Sequence, residues 1–216
     1  MRNRIIDAVE ENKLIVIVRG VEREQLIPLA EAMYRGGVRL LEITYSADGR
    51  VSDEETADRI KMLVEHFNGR MLIGAGTVLK KSQVELTARA GGGFIISPDT
   101  NTQVIGETVR LGLVSMPGAL TPTEVQTAHL AGADYVKLFP IGTLGADYVK
   151  AIRAPLSHIK MLAVGGVSLD NMAEYKKVGV SGFGISSGII DKKMIADGDF
   201  DGITALAEKY VTLAKG

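Results

Sequence analysis

Eight short runs rich in apolar and β-branched residues recur along the 216-residue chain, and segments of helical periodicity separate them. The runs are Leu14–Arg19, Arg39–Tyr45, Met71–Thr77, Gly93–Pro98, Leu113–Gly118, Tyr135–Pro140, Lys160–Gly166 and Ser181–Ser187. Amphipathic segments such as Arg23–Arg35, Asp53–Phe67, Ser82–Ala90, Thr121–Ala131 and Ser168–Val178 lie between them, and Asp201–Ala214 follows the last. Strand then helix, eight times over, predicts a closed parallel (β/α)8 TIM barrel, with residues 1–216 as a single domain opened by a short N-terminal helix. A doubly wound open sheet is the alternative, because counting elements does not show closure. Helix starts carry capping chemistry: Ser82 precedes Glu85, and Thr121-Pro122-Thr123-Glu124 puts proline in the first turn with glutamate three residues after Thr121. Ala90-Gly91-Gly92 and Ala131-Gly132-Ala133 mark helix ends. Only Ala47–Asp53 reads as an elongated strand-to-helix loop.

Barrels of this kind do chemistry at the C-terminal ends of their strands. Those ends offer Arg19, Glu42 with Thr44, Thr77, Ser97-Pro98, Pro117-Gly118, Lys137, Gly165-Gly166 and Ser186-Ser187. Strand alternation groups Ile15, Ile17 and Arg19 on one face, and likewise Leu40, Glu42 and Thr44, then Ile73, Ala75 and Thr77, then Tyr135, Lys137 and Phe139. One buried face would collect all four polar groups. Lys137 is the most informative, because it interrupts the apolar run Tyr135-Val136-Lys137-Leu138-Phe139-Pro140. Burial disfavours an ammonium and yields an amine able to attack a carbonyl. Glu42 would move protons, and Arg19 would meet a negative charge, a set suited to a small anionic keto acid. The plainer readings are a structural Glu42–Lys137 ion pair, a solvated Arg19, and a Thr77 hydroxyl turned to the backbone.

Gly165-Gly166 after the seventh run frees backbone N–H groups for close approach. Ser186-Ser187-Gly188 after the eighth adds hydroxyls, and the two together fit the phosphate site that barrels build from these loops. Composition limits the partners. With 26 acidic and 25 basic residues, the chain has a formal net charge of −1 and no basic field for nucleic acid or anionic lipid. It has no cysteine, and its three histidines, His66, His129 and His158, lie far apart, so no metal is expected. Met1–Lys13 lacks the unbroken apolar core of a signal peptide, and no run reaches membrane-spanning length, so a cytoplasmic protein without a membrane partner is expected.

Val16-Ile17-Val18-Arg19-Gly20, Leu41-Glu42-Ile43-Thr44, Ile73-Gly74-Ala75-Gly76-Thr77-Val78, Ile96-Ser97-Pro98, Met116-Pro117-Gly118, Val136-Lys137-Leu138-Phe139-Pro140 and Ala163-Val164-Gly165-Gly166-Val167 follow one another in this order. As a set they resemble the 2-keto-3-deoxy-6-phosphogluconate and -phosphogalactonate (KDPG/KHG) aldolase family. The resemblance implies a class I, Schiff-base mechanism without metal or organic cofactor, in a homotrimer. It implies Lys137 as the nucleophile and Glu42 as the general acid/base, working through a water. It further implies contacts from Arg19 and Thr77 to the pyruvate part, Pro98 and Val164 as further substrate contacts, and phosphate held by Gly165, Gly166, Ser186 and Ser187. The implied substrate is a keto acid bearing a phosphosugar tail, and the products are pyruvate and glyceraldehyde 3-phosphate.

Three positions depart from the phosphogluconate pattern. Ser46 stands where some members carry arginine, Val164 replaces a threonine, and Ser186 replaces the glycine of a Gly-Ser pair. The rival activities are cleavage of unphosphorylated 2-keto-4-hydroxyglutarate, phosphosugar binding without catalysis, and a phosphosugar isomerase or epimerase with Glu42 as base.

Overall fold

A computed structural model describes residues 1–216. Nine strands form one parallel sheet: β1 (Leu14–Val18), β2 (Leu40–Thr44), β3 (Leu72–Gly76), β4 (Phe94–Ile96), β5 (Val114–Met116), β6 (Gly118–Ala119), β7 (Val136–Leu138), β8 (Met161–Val164) and β9 (Gly182–Ile185). Pairing runs β5-β4-β3-β2-β1-β9-β8-β7-β6. The two ends of that order, β5 and β6, are halves of one predicted run. Pro117 separates them because it has no N–H to give to a ladder. β5 therefore pairs with β4 and β6 with β7, and the sheet closes on itself as a (β/α)8 barrel. The open doubly wound alternative is overturned.

Helices cover the outside: α1 (Arg2–Asn12), α2 (Arg23–Arg35), α3 (Asp53–Phe67), α4 (Lys81–Arg89), α5 (Thr102–Arg110), α6 (Pro122–Leu130), α7 (Gly145–Arg153), α8 (Met172–Lys177), α9 (Lys192–Asp197) and α10 (Phe200–Lys215). Their apolar stripes meet the outward strand residues, among them Val16, Leu41, Ile73, Ala75, Ile95, Val136 and Ala163, in the larger of two cores. The smaller core fills the barrel with Ile15, Ile17, Leu40, Leu72, Phe94, Ile96, Met116, Tyr135, Leu162 and Val164. Thr121 caps α6 through the expected reciprocal box with Glu124. Ser82 caps nothing, because α4 begins one residue before it and Lys80 occupies the N-cap. That expectation is corrected.

α1 closes the bottom of the barrel. Ile5 and Val9 enter the inner core, while Glu10 accepts hydrogen bonds from Tyr135 Oη at 2.8 Å and Lys160 Nζ at 2.7 Å. Arg2 pairs with Asp134 beside them. Chemistry is thereby confined to the opposite, C-terminal face.

Candidate active site

Register brings the key groups into one layer. Ile17 pairs with Glu42 and Glu42 with Gly74, while Lys137 lies between Gly118 and Leu162. Ile17, Glu42, Lys137, Leu162, Val164, Ile15, Ile96 and Gly184 line an interior cavity of about 10 Å³, roughly the space of one water. Glu42 is 1% exposed and Lys137 6%, so both charges sit in an apolar, poorly solvated chamber. Burial pushes the Glu42 carboxyl up to about 6, against the opposing pull of Lys137 and Arg19. Burial likewise lowers the Lys137 amine below its usual range; Glu42 works against that shift and Arg19 adds to it.

The two groups do not form an ion pair within 4.0 Å, and Glu42 Oε2 has no hydrogen-bond partner. The structural ion pair weighed for them is therefore absent. Two glycines make this arrangement possible. A Cβ on Gly76 would overlap the Glu42 carboxyl, and one on Gly74 would overlap the Phe94 ring. Lys137 Nζ lies 4.5 Å from the centroid of the Phe139 ring. Sequence reasoning named neither Gly76 nor Phe139 as part of the site. The small-residue alternation Gly74-Ala75-Gly76, beside a strand carrying an inward carboxylate, is the signal that would have found Gly76.

Thr77 arrives by a different route from the one strand alternation predicts. Ile73 and Ala75 face outward into the helix layer, while Leu72, Gly74 and Gly76 face in. Simple alternation would thus send Thr77 outward too. Its φ of +54° breaks the alternation and turns the side chain to the mouth, where Thr77 Oγ1 accepts a hydrogen bond from Arg19 Nη2 at 3.1 Å. A β-branched residue rarely adopts this backbone, at a cost on the order of 1–3 kcal/mol. The hydroxyl therefore meets the guanidinium at the mouth, and the plainer backbone-bonded reading of Thr77 fails.

Arg19 is exposed but lines, with Thr77, Thr44 and Ser46, a cleft of about 740 Å³ that runs under the elongated loop to Arg50 and Arg59. Thr44 Oγ1 donates to the Val18 carbonyl at 3.3 Å. Gly165 and Gly166 both have φ of +82°, a backbone few other residues tolerate. Gly142 N donates to the Gly165 carbonyl at 2.7 Å, and Asn171 Nδ2 to the Gly166 carbonyl at 2.9 Å, which fixes the diglycine turn. Ser186 was expected to offer its hydroxyl, yet Oγ donates to the Ile17 carbonyl at 2.9 Å. Its hydroxyl is thus spent on the neighbouring strand, while Ser187 beside it is exposed. Val164 is buried against Gly184 and lines the Glu42–Lys137 chamber. Pro98 is half-buried, with its carbonyl packed on Gly118, where no Cβ would fit. No group of three or more His, Cys, Asp or Glu side chains is placed to hold a metal ion, and no helix is long and apolar enough to cross a membrane.

A parallel (β/α)8 barrel that buries a lysine and an unpaired carboxylate at its C-terminal mouth belongs to the class of barrels equipped for amine–carbonyl chemistry. The family model described as KDPG and KHG aldolase matches residues 5–206. A probable 2-dehydro-3-deoxy-6-phosphogalactonate aldolase of Rhizobium meliloti is 38% identical over 187 residues, covering 86% of this chain and 85% of that protein. The 2-dehydro-3-deoxy-6-phosphogalactonate aldolase of Escherichia coli is 36% identical over 175 residues, covering 81% and 82%. Among solved structures, KDPG aldolase from Legionella pneumophila, with pyruvate captured as a covalent carbinolamine intermediate, superposes with a TM-score of 0.82 at 25% identity, covering 94% and 96%. The chain belongs to the KDPG and KHG aldolase family.

Proposed function

We propose that the chain is a class I aldolase, a carbon–carbon lyase that cleaves a 2-keto-3-deoxy-6-phospho sugar acid to pyruvate and glyceraldehyde 3-phosphate. The observation that carries this reading is the desolvated Lys137 facing an unpaired buried Glu42 in a mouth whose other ligands are a guanidinium, a hydroxyl and a diglycine turn. The pyruvate adduct held by the Legionella relative supports it.

In the proposed mechanism the neutral Lys137 amine adds to C2 of the substrate, and the protonated Glu42 gives its proton to the departing hydroxyl, so that water leaves a protonated imine and Glu42 becomes a carboxylate. Glu42 takes the proton of the C4 hydroxyl as the C3–C4 bond breaks. The bond pair becomes the C2–C3 double bond and the C2–N π pair moves onto nitrogen, forming an enamine, while C4 departs as the aldehyde. Glu42 then returns the proton to C3, and water releases pyruvate. A carboxyl with a pKa near 6 can both hold and release a proton near neutrality. The 10 Å³ cavity beside it has room for the one water such a relay would use. Arg19 and Thr77 hold the keto-acid carboxylate end. With Ser46 in place of an arginine, the open cleft beside them leaves Arg19 as the guanidinium nearest Thr77. Pro98 and Val164 line the substrate, and Val164 offers no hydroxyl to orient its C4 end. Gly165, Gly166, Ser186 and Ser187 hold the phosphate through backbone N–H groups and the Ser187 hydroxyl.

The same reading makes residues 1–216 one barrel domain acting as a cytoplasmic homotrimer. Light scattering should then give three times the 23.1 kDa chain mass, and a monomer would refute the assembly. The decisive experiment is incubation with pyruvate and borohydride, followed by peptide mapping beside Lys137→Ala. A reduced pyruvyl adduct on Lys137, absent from the control, is expected. No adduct in the folded enzyme would favour binding without catalysis or an isomerase. Equal activity on phosphorylated and unphosphorylated substrates would favour the 2-keto-4-hydroxyglutarate type.

A further inference from the structure

Lys137 has no carboxylate within ion-pair distance, yet its Nζ lies 4.5 Å from the centroid of the Phe139 ring, two residues along the same chain. A cation at this distance over an aromatic face is attracted by the ring quadrupole, and the attraction strengthens where water is excluded. The ring's place is itself prepared. A Cβ on Gly165 would come within 2.9 and 3.0 Å of two Phe139 ring carbons, so only glycine at 165 leaves the ring room where it lies. Phe139 is half-buried at the edge of the inner core, so it is not one of the side chains that fill the barrel. The diglycine turn thus has a second use beyond backbone donors: it seats an aromatic face against the reactive nitrogen.

We propose that Phe139 is a catalytic residue whose π face stabilises the positive charge on the Lys137 nitrogen in the protonated imine. The proposal rests on the Schiff-base reading above. The nitrogen is cationic from imine formation until the C3–C4 bond breaks, when the C2–N π pair returns to nitrogen, the enamine forms and the charge vanishes. A ring over that nitrogen therefore favours the intermediate and steadies the geometry from which the bond breaks. It also favours the ammonium of the free enzyme. The other charged groups facing the amine are Glu42 on β2, which favours the cation, and Arg19 at the end of β1, which opposes it.

These two effects give Phe139→Leu a distinctive signature. Leucine keeps an apolar side chain and removes the quadrupole. With less support for the ammonium, the pH at which half-maximal pyruvyl adduct is trapped by borohydride should fall by about one unit. With less support for the imine, kcat should fall about tenfold, as expected for an attraction worth on the order of 1–2 kcal/mol, while KM changes little. Phe139→Tyr keeps the π face and should restore both values to within about twofold.

The trapping profile separates this role from mere packing, because a loosened site would lower kcat without moving the titration. Trapping profiles that coincide for the unmodified enzyme and Phe139→Leu would overturn the proposal and leave the Schiff-base reading standing. A Phe139→Tyr variant as impaired as Phe139→Leu would also overturn it. Absence of any adduct in the unmodified enzyme would overturn both.

Discussion

At the scale of single residues, environment rather than identity makes Glu42 and Lys137 unusual. The sequence exposes the anomaly of Lys137, a lysine in an apolar strand, but it does not show whether Glu42 approaches it to ion-pair distance. The barrel holds the two apart in a shared dry chamber, with one carboxylate oxygen unpartnered. Glu42→Gln should lower kcat by about 10²–10⁴-fold, the usual range for a lost general acid/base, and leave the pyruvate adduct on Lys137 trappable. It should also change how stability depends on pH. Burial raises the Glu42 carboxyl from 4.5 to about 6, so the folded state binds more protons than the unfolded state between those values. The group's contribution is therefore most favourable below pH 4.5 and declines as pH rises through 6, by about 2 kcal/mol in all. Denaturant titrations of the two proteins should show Glu42→Gln gaining on the unmodified enzyme across that window and running parallel to it above pH 7. Parallel curves throughout would mean that Glu42 titrates normally.

At the scale of elements, strand alternation was a sound guide on β1, β2 and β7 and failed on β3. The sequence suggests Ile73, Ala75 and Thr77 as the inner face, because two apolar residues and a hydroxyl read better than Leu72, Gly74 and Gly76. The structure chooses the glycines because the inner volume beside them is already taken by the Phe94 ring and the Glu42 carboxyl. Thr77 then reaches the mouth by its left-handed backbone. Gly76→Ala is the sharpest test of this packing. Its backbone angle carries no left-handed strain, so the added methyl acts only by displacing Glu42. Stability should fall by about 1–3 kcal/mol, typical of an overfilled core, while kcat falls at least as far as in Glu42→Gln. Normal turnover in a folded Gly76→Ala protein would show that the carboxyl need not lie where it does. The cap of α6 was legible because both partners of the Thr121–Glu124 box lie three residues apart on one turn. The cap assigned to Ser82 failed because α4 starts one residue earlier, a boundary that local sequence fixes poorly.

At the scale of the whole molecule, closure is the property that creates the site. The circuit is completed between β4 and β5 on one side and β6 and β7 on the other, across a break made by Pro117. α1 seals the end away from the chemistry, and Ile5 is its deepest plug, fully buried in the inner core. Ile5→Ala should cost about 2–5 kcal/mol by opening a cavity under Leu72 and Phe94. It should leave KM nearly unchanged in protein that remains folded, which calorimetry and steady-state kinetics can read together. A large KM change would mean that the plug also shapes the mouth. The sequence by itself determined the eightfold alternation, the face on which chemistry would lie, the buried lysine and the loops suited to phosphate, because periodicity, turn residues and a charge in an apolar run are local signals. Tertiary structure alone decided that the sheet closes and that Glu42 and Lys137 share one chamber without pairing. It alone decided that Gly76 yields its space to the carboxyl, that Thr77 turns to Arg19, and that the Ser186 hydroxyl is spent on Ile17. Each of these depends on which atoms from distant strands compete for the same few cubic ångströms, and no stretch of chain carries that information alone.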